Sequence, residues 1–222
     1  EGGIFPAITG SLALFLVACA FAGFLAFGTA IYLVFYCESE RIEALAHLVI
    51  QCMAGIPSIV LGLFGYSLLV VNLKLGRSLL AAGLTLGIMI FPFIEVRVEK
   101  ALKEAGEQLI AASYALGVSK TYTLFKLILP LCRSDIVSAI TLAGGFAMGA
   151  AAPILLTGAV MFAPVPESLL SPVMALPFHL YILTNEGISL EKAYATALVL
   201  ITLVFAINIV SIILSFRQRE VR

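Results

Sequence analysis

The side chains able to do covalent or metal chemistry are few and scattered. Histidine occurs at His47 and His179, and cysteine at Cys19, Cys37, Cys52 and Cys132. The histidines are far apart in sequence and read as interfacial or packing residues. The cysteines show no Cys-x-x-Cys spacing and read as small apolar filler, so neither a disulfide nor a metal is expected. Ser58, just after Gly55-Ile56-Pro57, could with His179 outline the nucleophile and base of an intramembrane hydrolase. Its surroundings are those of a helix break, however, not of a nucleophile turn. No Gly-x-x-x-x-Gly-Lys-Ser/Thr phosphate loop is present, so nucleotide energy would have to come from another chain. No catalytic residue is expected.

Composition explains why chemistry is sparse. The chain has 222 residues, 62% of them hydrophobic and 12% charged, with mean hydropathy +1.13. Soluble domains are about 45–50% apolar and about 25% charged. The class is an all-α integral membrane protein, read as a single transmembrane domain over 1–222 in contact with lipid. Formal net charge is zero, so nothing suggests a nucleic-acid partner. Tyr and Phe must make any interfacial belt, because Trp is absent.

A bilayer core of about 30 Å needs about 20 apolar residues in a helix. Hydropathy predicts five spans: Ile8 to Tyr36, Ile42 to Val71, Ser78 to Ile94, about Ile136 to Gly158, and Ala193 to Phe216. The second is too long for a simple span and is interrupted by Pro57, which removes a backbone hydrogen bond and clashes with the preceding turn. It is either one kinked span or a short interfacial helix followed by a shorter span. The loop over 159–191 carries Pro164, Pro166, Pro172 and Pro177, yet its segment "LPFHLYIL" is apolar. That part should dip into the membrane or pack on the bundle.

Basic residues set the orientation. Arg41, Arg97, Lys100, Lys103, Lys120, Lys126, Arg133, Arg217, Arg219 and Arg222 fall on one side, and Lys74, Arg77 and Lys192 on the other. Ten against three places the C-terminus and the 97–134 insert in the cytoplasm, and the N-terminus outside. A chain starting outside with no charged leader implies a sixth, N-terminal span before Glu1.

The insert holds "EQLIAASYALGVSKTYTLFKLILP". Val98, Ala101, Leu102, Ala105, Leu109, Ala112 and Leu116 trace one helical face. Gly117 follows where the helix should end. A short helix then fits Lys120 to Lys126, and Pro130 sets the start of the next span. Such a protrusion could transmit force from a soluble partner. The alternative is an amphipathic helix lying on the inner leaflet.

The spacing resembles the cytoplasmic loop of ABC importer permeases: Glu-Ala-Ala, three residues, Gly, nine residues, Ile-x-Leu-Pro. Here the register is Ala111-Ala112-Ser113, Gly117, then Leu127-Ile128-Leu129-Pro130. Ala111 replaces the leading Glu. The segments "AGIPSIVLGLFGYSLLVV", "IFPFIEVRVEKALKEAGEQL", "GAAAPILLTG", "SPVMALPFHLYIL" and "AYATALVLI" resemble, in that order, the PstA phosphate permease family. "GGIFPAITGSL" resembles the segment after that family's first span. The resemblance implies a type I, MetI-like ABC importer domain. It also implies a coupling helix at Gly117, Val118, Ser119, Lys120 and Thr121 that seats in an ATPase groove. The implied partners are two PstB-like ATPases carrying ATP and Mg, a PstS-like solute-binding protein, and a PstC-like second permease or a second copy. The implied place is a bacterial or archaeal inner membrane.

One departure bears on the substrate. PstA-like permeases carry Arg, two residues, then Gly-Glu-Thr-Ala-Pro. This chain reads Phe146-Ala147-Met148-Gly149-Ala150-Ala151-Ala152-Pro153. Either a partner supplies the charges for phosphate, or the cargo is another small oxyanion such as molybdate, tungstate or sulfate. With no Lys or Arg expected inside the pathway, neutral dipoles should handle the anion. The half-helix starting at Pro57 and Ser58 offers amides. Gly149, Ala150 and Pro153 mark a second soft point, and Thr141 and Asn208 offer a hydroxyl and an amide.

Overall fold

Small residues recur on one face of the first apolar run, and the bundle closes on that face. The structure, a computed structural model, describes residues 3–161 and 163–220, with side chains at all of these except 105–108, 114 and 214–220. The expected face position Ala105, and the basic side chains Arg217, Arg219 and Arg222, fall outside that description.

Helix α1 (Phe5–Ile31) starts with Pro6 in its first turn, where a missing amide proton costs nothing. It buries Gly10, Leu14, Ala18, Ala22 and Ala26 and packs against α4 (Leu79–Ala115) and α6 (Leu129–Met148). Lipid tails offer no hydrophobic contrast, so close backbone approach must hold these helices together. Gly83 shows how close: a Cβ there would collide with Val17 Cγ1. Gly83→Val should therefore lower stability by about 1–3 kcal/mol through overpacking, read as earlier thermal unfolding in detergent.

The second apolar run resolves into two helices. α2 (Glu40–Ala54) and α3 (Ser58–Gly65, continued by π-helical turns to Asn72) meet at Pro57 with a bend of 100°. α2 is amphipathic, with Glu40 and Glu43 in its first turn, as a helix at an interface should be. Among the described residues, four helices are long and apolar enough to cross a membrane, and the bent pair makes a fifth crossing if counted as one span.

The third run departs further from expectation. Its helix does not end near Ile94 but continues as α4 for 37 residues, through Pro92, to Ala115. At 1.5 Å per residue that is about 55 Å, long enough to cross the bilayer and stand out of it. The stretch Leu79–Glu104 is long and apolar enough to cross a membrane, and Glu95, Arg97 and Glu99 sit on this continuous helix instead of in an irregular connection. The short helix α5 (Lys120–Tyr122) likewise runs through π-helical turns (Thr123–Ile128) straight into α6, with Pro130 in the first turn of α6. α6 stops at Met148. After a break at 149–151 the chain resumes as α7 (Ala152–Thr157), which ends just before the expected span end at Gly158.

The 159–191 loop packs on the bundle. Its helix α8 (Leu176–Asn185) lies on α1 and on the last helix, α9 (Leu190–Glu220). The Leu176 amide donates to Ser11 Oγ at 2.8 Å. The amides of Leu79 and Leu80 donate to the Ser171 and Leu169 carbonyls at 2.9 and 2.8 Å. These bonds satisfy backbone groups that would be costly to leave open at membrane depth.

Candidate functional site

The insert is a built turn. Gly117 has φ +74° and nothing within 4 Å of where a Cβ would be, so conformation, not crowding, calls for glycine. The Val118 amide donates to the Ser113 carbonyl at 2.9 Å. The buried Thr123 hydroxyl meets Ser113 Oγ at 3.0 Å, locking α5 to α4. Ser119 caps α5 by accepting from the Tyr122 amide at 3.3 Å. Of the motif residues, Ser113 is buried. Ala111, Ala112, Ser119, Lys120, Thr121 and Pro130 are exposed, and Val118 and Leu129 are intermediate. Leu116, 82% exposed, and Phe125, 56% exposed, add apolar area to the protrusion.

The expected pathway residues fall into two groups. α3 packs on α7 so tightly that a Cβ on Gly62 would lie 3.1 Å from Pro153 Cα and 3.2 Å from the Ala152 carbonyl. Pro57 and Ser58 stand exposed at the elbow leading into α3, and Gly149 and Ala150 form the break leading into α7. Thr141 and Asn208 instead lie on the seam of α6 and α9. Thr141 Oγ1 bonds Ser211 Oγ and donates toward the Val137 carbonyl. Asn208 lies over Gly145, and its buried Oδ1 has no partner among the described residues. Ser58 and His179 are not paired: α8 packs on α1 and α9, and His179 Nδ1 lies 3.1 Å from Thr196 Oγ1.

That histidine carries a pH dependence. Burial, and next the nearby Lys192 ammonium, hold its pKa below the ordinary 6.5. A depressed histidine contributes stability that is complete above its unfolded pKa and lost as pH falls from there through its folded pKa. Unfolding should therefore become easier on acidification below about pH 6.5, and His179→Gln should remove that part of the pH profile.

Two features emerge only from the packing. Arg97 lines a cleft of about 160 Å³ between α4 and α6, together with Phe93, Ala139, Leu142, Ala143 and Phe146. The Phe93 and Phe146 rings meet at 5.6 Å. A cation thus reaches the neighbourhood of Phe146 from α4, a group that the expectation of neutral dipoles alone did not include. The second feature is an ionic cluster joining α2 to α4. Glu99, 7% exposed, receives His47 Nε2 at 3.0 Å and Lys103 Nζ at 2.7 Å, and Lys103 also reaches Glu43 at 3.1 Å. Glu95, fully buried, has no hydrogen-bond partner for either oxygen among the described residues. The available signal is the i, i+4 spacing of Glu43 with His47, of Glu95 with Glu99, and of Glu99 with Lys103. It is masked because charges that follow an apolar run read as a loop.

Residues 24–220 match the family described as "Binding-protein-dependent transport system inner membrane component". This chain belongs to that family. As a binding-protein-dependent transport component it is a multi-pass inner-membrane protein, and its fold is that of a MetI-like ABC importer transmembrane domain. The methionine transporter MetNI, in inward-facing conformations, superposes with TM-score 0.82 at 20% identity, covering 97% of this chain and 95% of that one. The phosphate transport system permease protein PstA 1 of Mycobacterium tuberculosis is 32% identical over 217 residues, covering 97% of this chain and 71% of the relative. The probable PstA of Methanocaldococcus jannaschii is 31% identical over 210 residues, covering 93% and 74%.

Proposed function

We propose that this permease imports inorganic phosphate by ATP-driven alternating access. The observation that carries the proposal is its 31–32% identity to phosphate permeases over nearly its whole length. The distribution of basic residues supports a cytoplasmic 97–134 coupling loop and C-terminus, with 159–191 outside. In this reading two PstB-like ATPases hold ATP and Mg and do the hydrolysis. A PstS-like binding protein delivers substrate, and a PstC-like permease or a second copy completes the pore. The chain itself catalyses nothing.

The mechanics follow from α4. Ser113 and Thr123 bind the protrusion to this helix, so a push near Gly117 to Thr121 moves a rod about 55 Å long. The same rod carries Phe93 and Arg97, so the push changes the cleft at Phe146. Arg97 offers the fork of donors that matches an oxyanion. The half-helix amides after Pro57 add partial positive charge from the α3 side.

Loss of the family Arg and Glu at Phe146 and Ala150 favours a second reading, in which the oxyanion is molybdate, tungstate or sulfate. Uptake of radiolabelled phosphate by proteoliposomes holding the whole transporter tests the choice. ATP-dependent accumulation that sulfate, molybdate and tungstate do not suppress is the expected result. Absence of phosphate uptake alongside uptake of one of the others would replace phosphate as the cargo.

A further inference from the structure

The cluster at the α2–α4 junction is not needed to explain coupling, yet it concentrates acid at one end of a membrane span. Glu43, Glu95 and Glu99 face one ammonium, that of Lys103, and one imidazole, that of His47. Glu95 lies one turn before Glu99 on the same face of α4, and Glu99, His47 and Lys103 are the charged groups near enough to act on it. Two buried carboxylates side by side repel unless something positive lies between them. Lys103 reaches Glu99 and Glu43 but is not a partner of Glu95.

We propose that Glu43, His47 and Glu99, backed by Glu95, bind one divalent cation of the zinc or manganese class, with Lys103 as the displaceable cation that fills the site in its absence. Ligand type fits: imidazole and carboxylate suit these ions. Geometry fits as well. The candidate ligand atoms of Glu43, His47 and Glu99 lie within 4.8 Å of one another. Two ligands each about 2.1 Å from one ion stand at most about 4.2 Å apart, so small side-chain rotations close the gap. His47 and Lys103 have side chains 36% and 48% exposed, so they are free to make that adjustment. Lys103 hangs on a flexible stem and can swing outward when a metal enters. The ligands come from two facing helices, with Glu43 and His47 an i, i+4 pair on one of them, a spacing that puts two ligands on one helix face. A bound ion would tie α2, and so the Pro57 elbow, to α4.

The test is calorimetric titration of the full-length permease in lipid nanodiscs, freed of affinity tags and treated with EDTA, using ZnCl2 and separately MnCl2. One ion per chain should bind, and EDTA should release it. His47→Gln should weaken binding by about tenfold or more, and Lys103→Met should tighten it by a similar factor. Both replacements sit at half-exposed positions, so a melting curve on each variant checks that it remains folded. No binding of either metal to the native protein would overturn the proposal. Binding by Lys103→Met alone would overturn it too, because Lys103 would then be the permanent occupant. Binding unchanged in His47→Gln would place the ion elsewhere.

Discussion

In Gly117→Val, ATP-driven uptake should fall by about tenfold or more while the ATPases go on hydrolysing ATP. Glycine at φ +74° adopts a conformation that a β-branched residue enters at a cost of about 1–3 kcal/mol, and each ~1.4 kcal/mol is tenfold in population. No atom lies within 4 Å of the new Cβ, so there is no clash to unfold the bundle. The strain falls on the turn that joins α4 to α5, and the surface proposed to meet the ATPase is presented at the wrong angle. Gly117→Ala, strained but not branched, should lie between the two. Equal loss of hydrolysis and transport would indicate failed assembly instead, and normal transport would remove the coupling role from this turn.

The second large effect is expected at Arg97. A hydrogen bond to a charged group is worth ~1.5–3 kcal/mol, so Arg97→Gln should reduce uptake roughly 10- to 100-fold, with the ATPase still responsive to its partners. Arg97→Lys keeps the charge but loses the paired donors, and should recover part of the activity. Phe146→Ala opens the same cleft without removing the cation and should cost far less than Arg97→Gln. Uptake by Arg97→Gln at the native rate would leave the oxyanion to neutral dipoles or to a partner chain.

These residues also show where sequence reading succeeds and where it stops. The apolar runs, the breaks at Pro57 and at Gly149–Pro153, and the turn at Gly117 are all legible. Each follows from local physics: hydrocarbon thickness, a missing amide proton, or a positive φ. The length of α4 is not. Glu95, Arg97, Glu99 and Lys103 form a run rich in charge, and charge near an apolar segment ordinarily marks its end. Here α2 folds back at the Pro57 elbow, and His47, from 52 residues away, pairs with Glu99. That pairing lets the helix carry its charges on while remaining packed. Arg97 is likewise visible only as a loop cation until α6 brings Phe146 beside it. Thr141 and Asn208 stand out as polar residues in apolar runs, but their placement on the α6–α9 seam comes only with the packing. There a hydroxyl pair and a small glycine let two helices approach.

Whether the Gly117 protrusion seats in an ATP-hydrolysing partner can be measured with one disulfide. Thr121 is exposed beside the turn. Thr121→Cys, oxidised in the assembled transporter, should cross-link to an ATPase subunit carrying single cysteines along its groove, and the yield should change when ATP is added. A cross-link to the external binding protein, or labelling of the introduced thiol only from outside sealed cells, would contradict the coupling role.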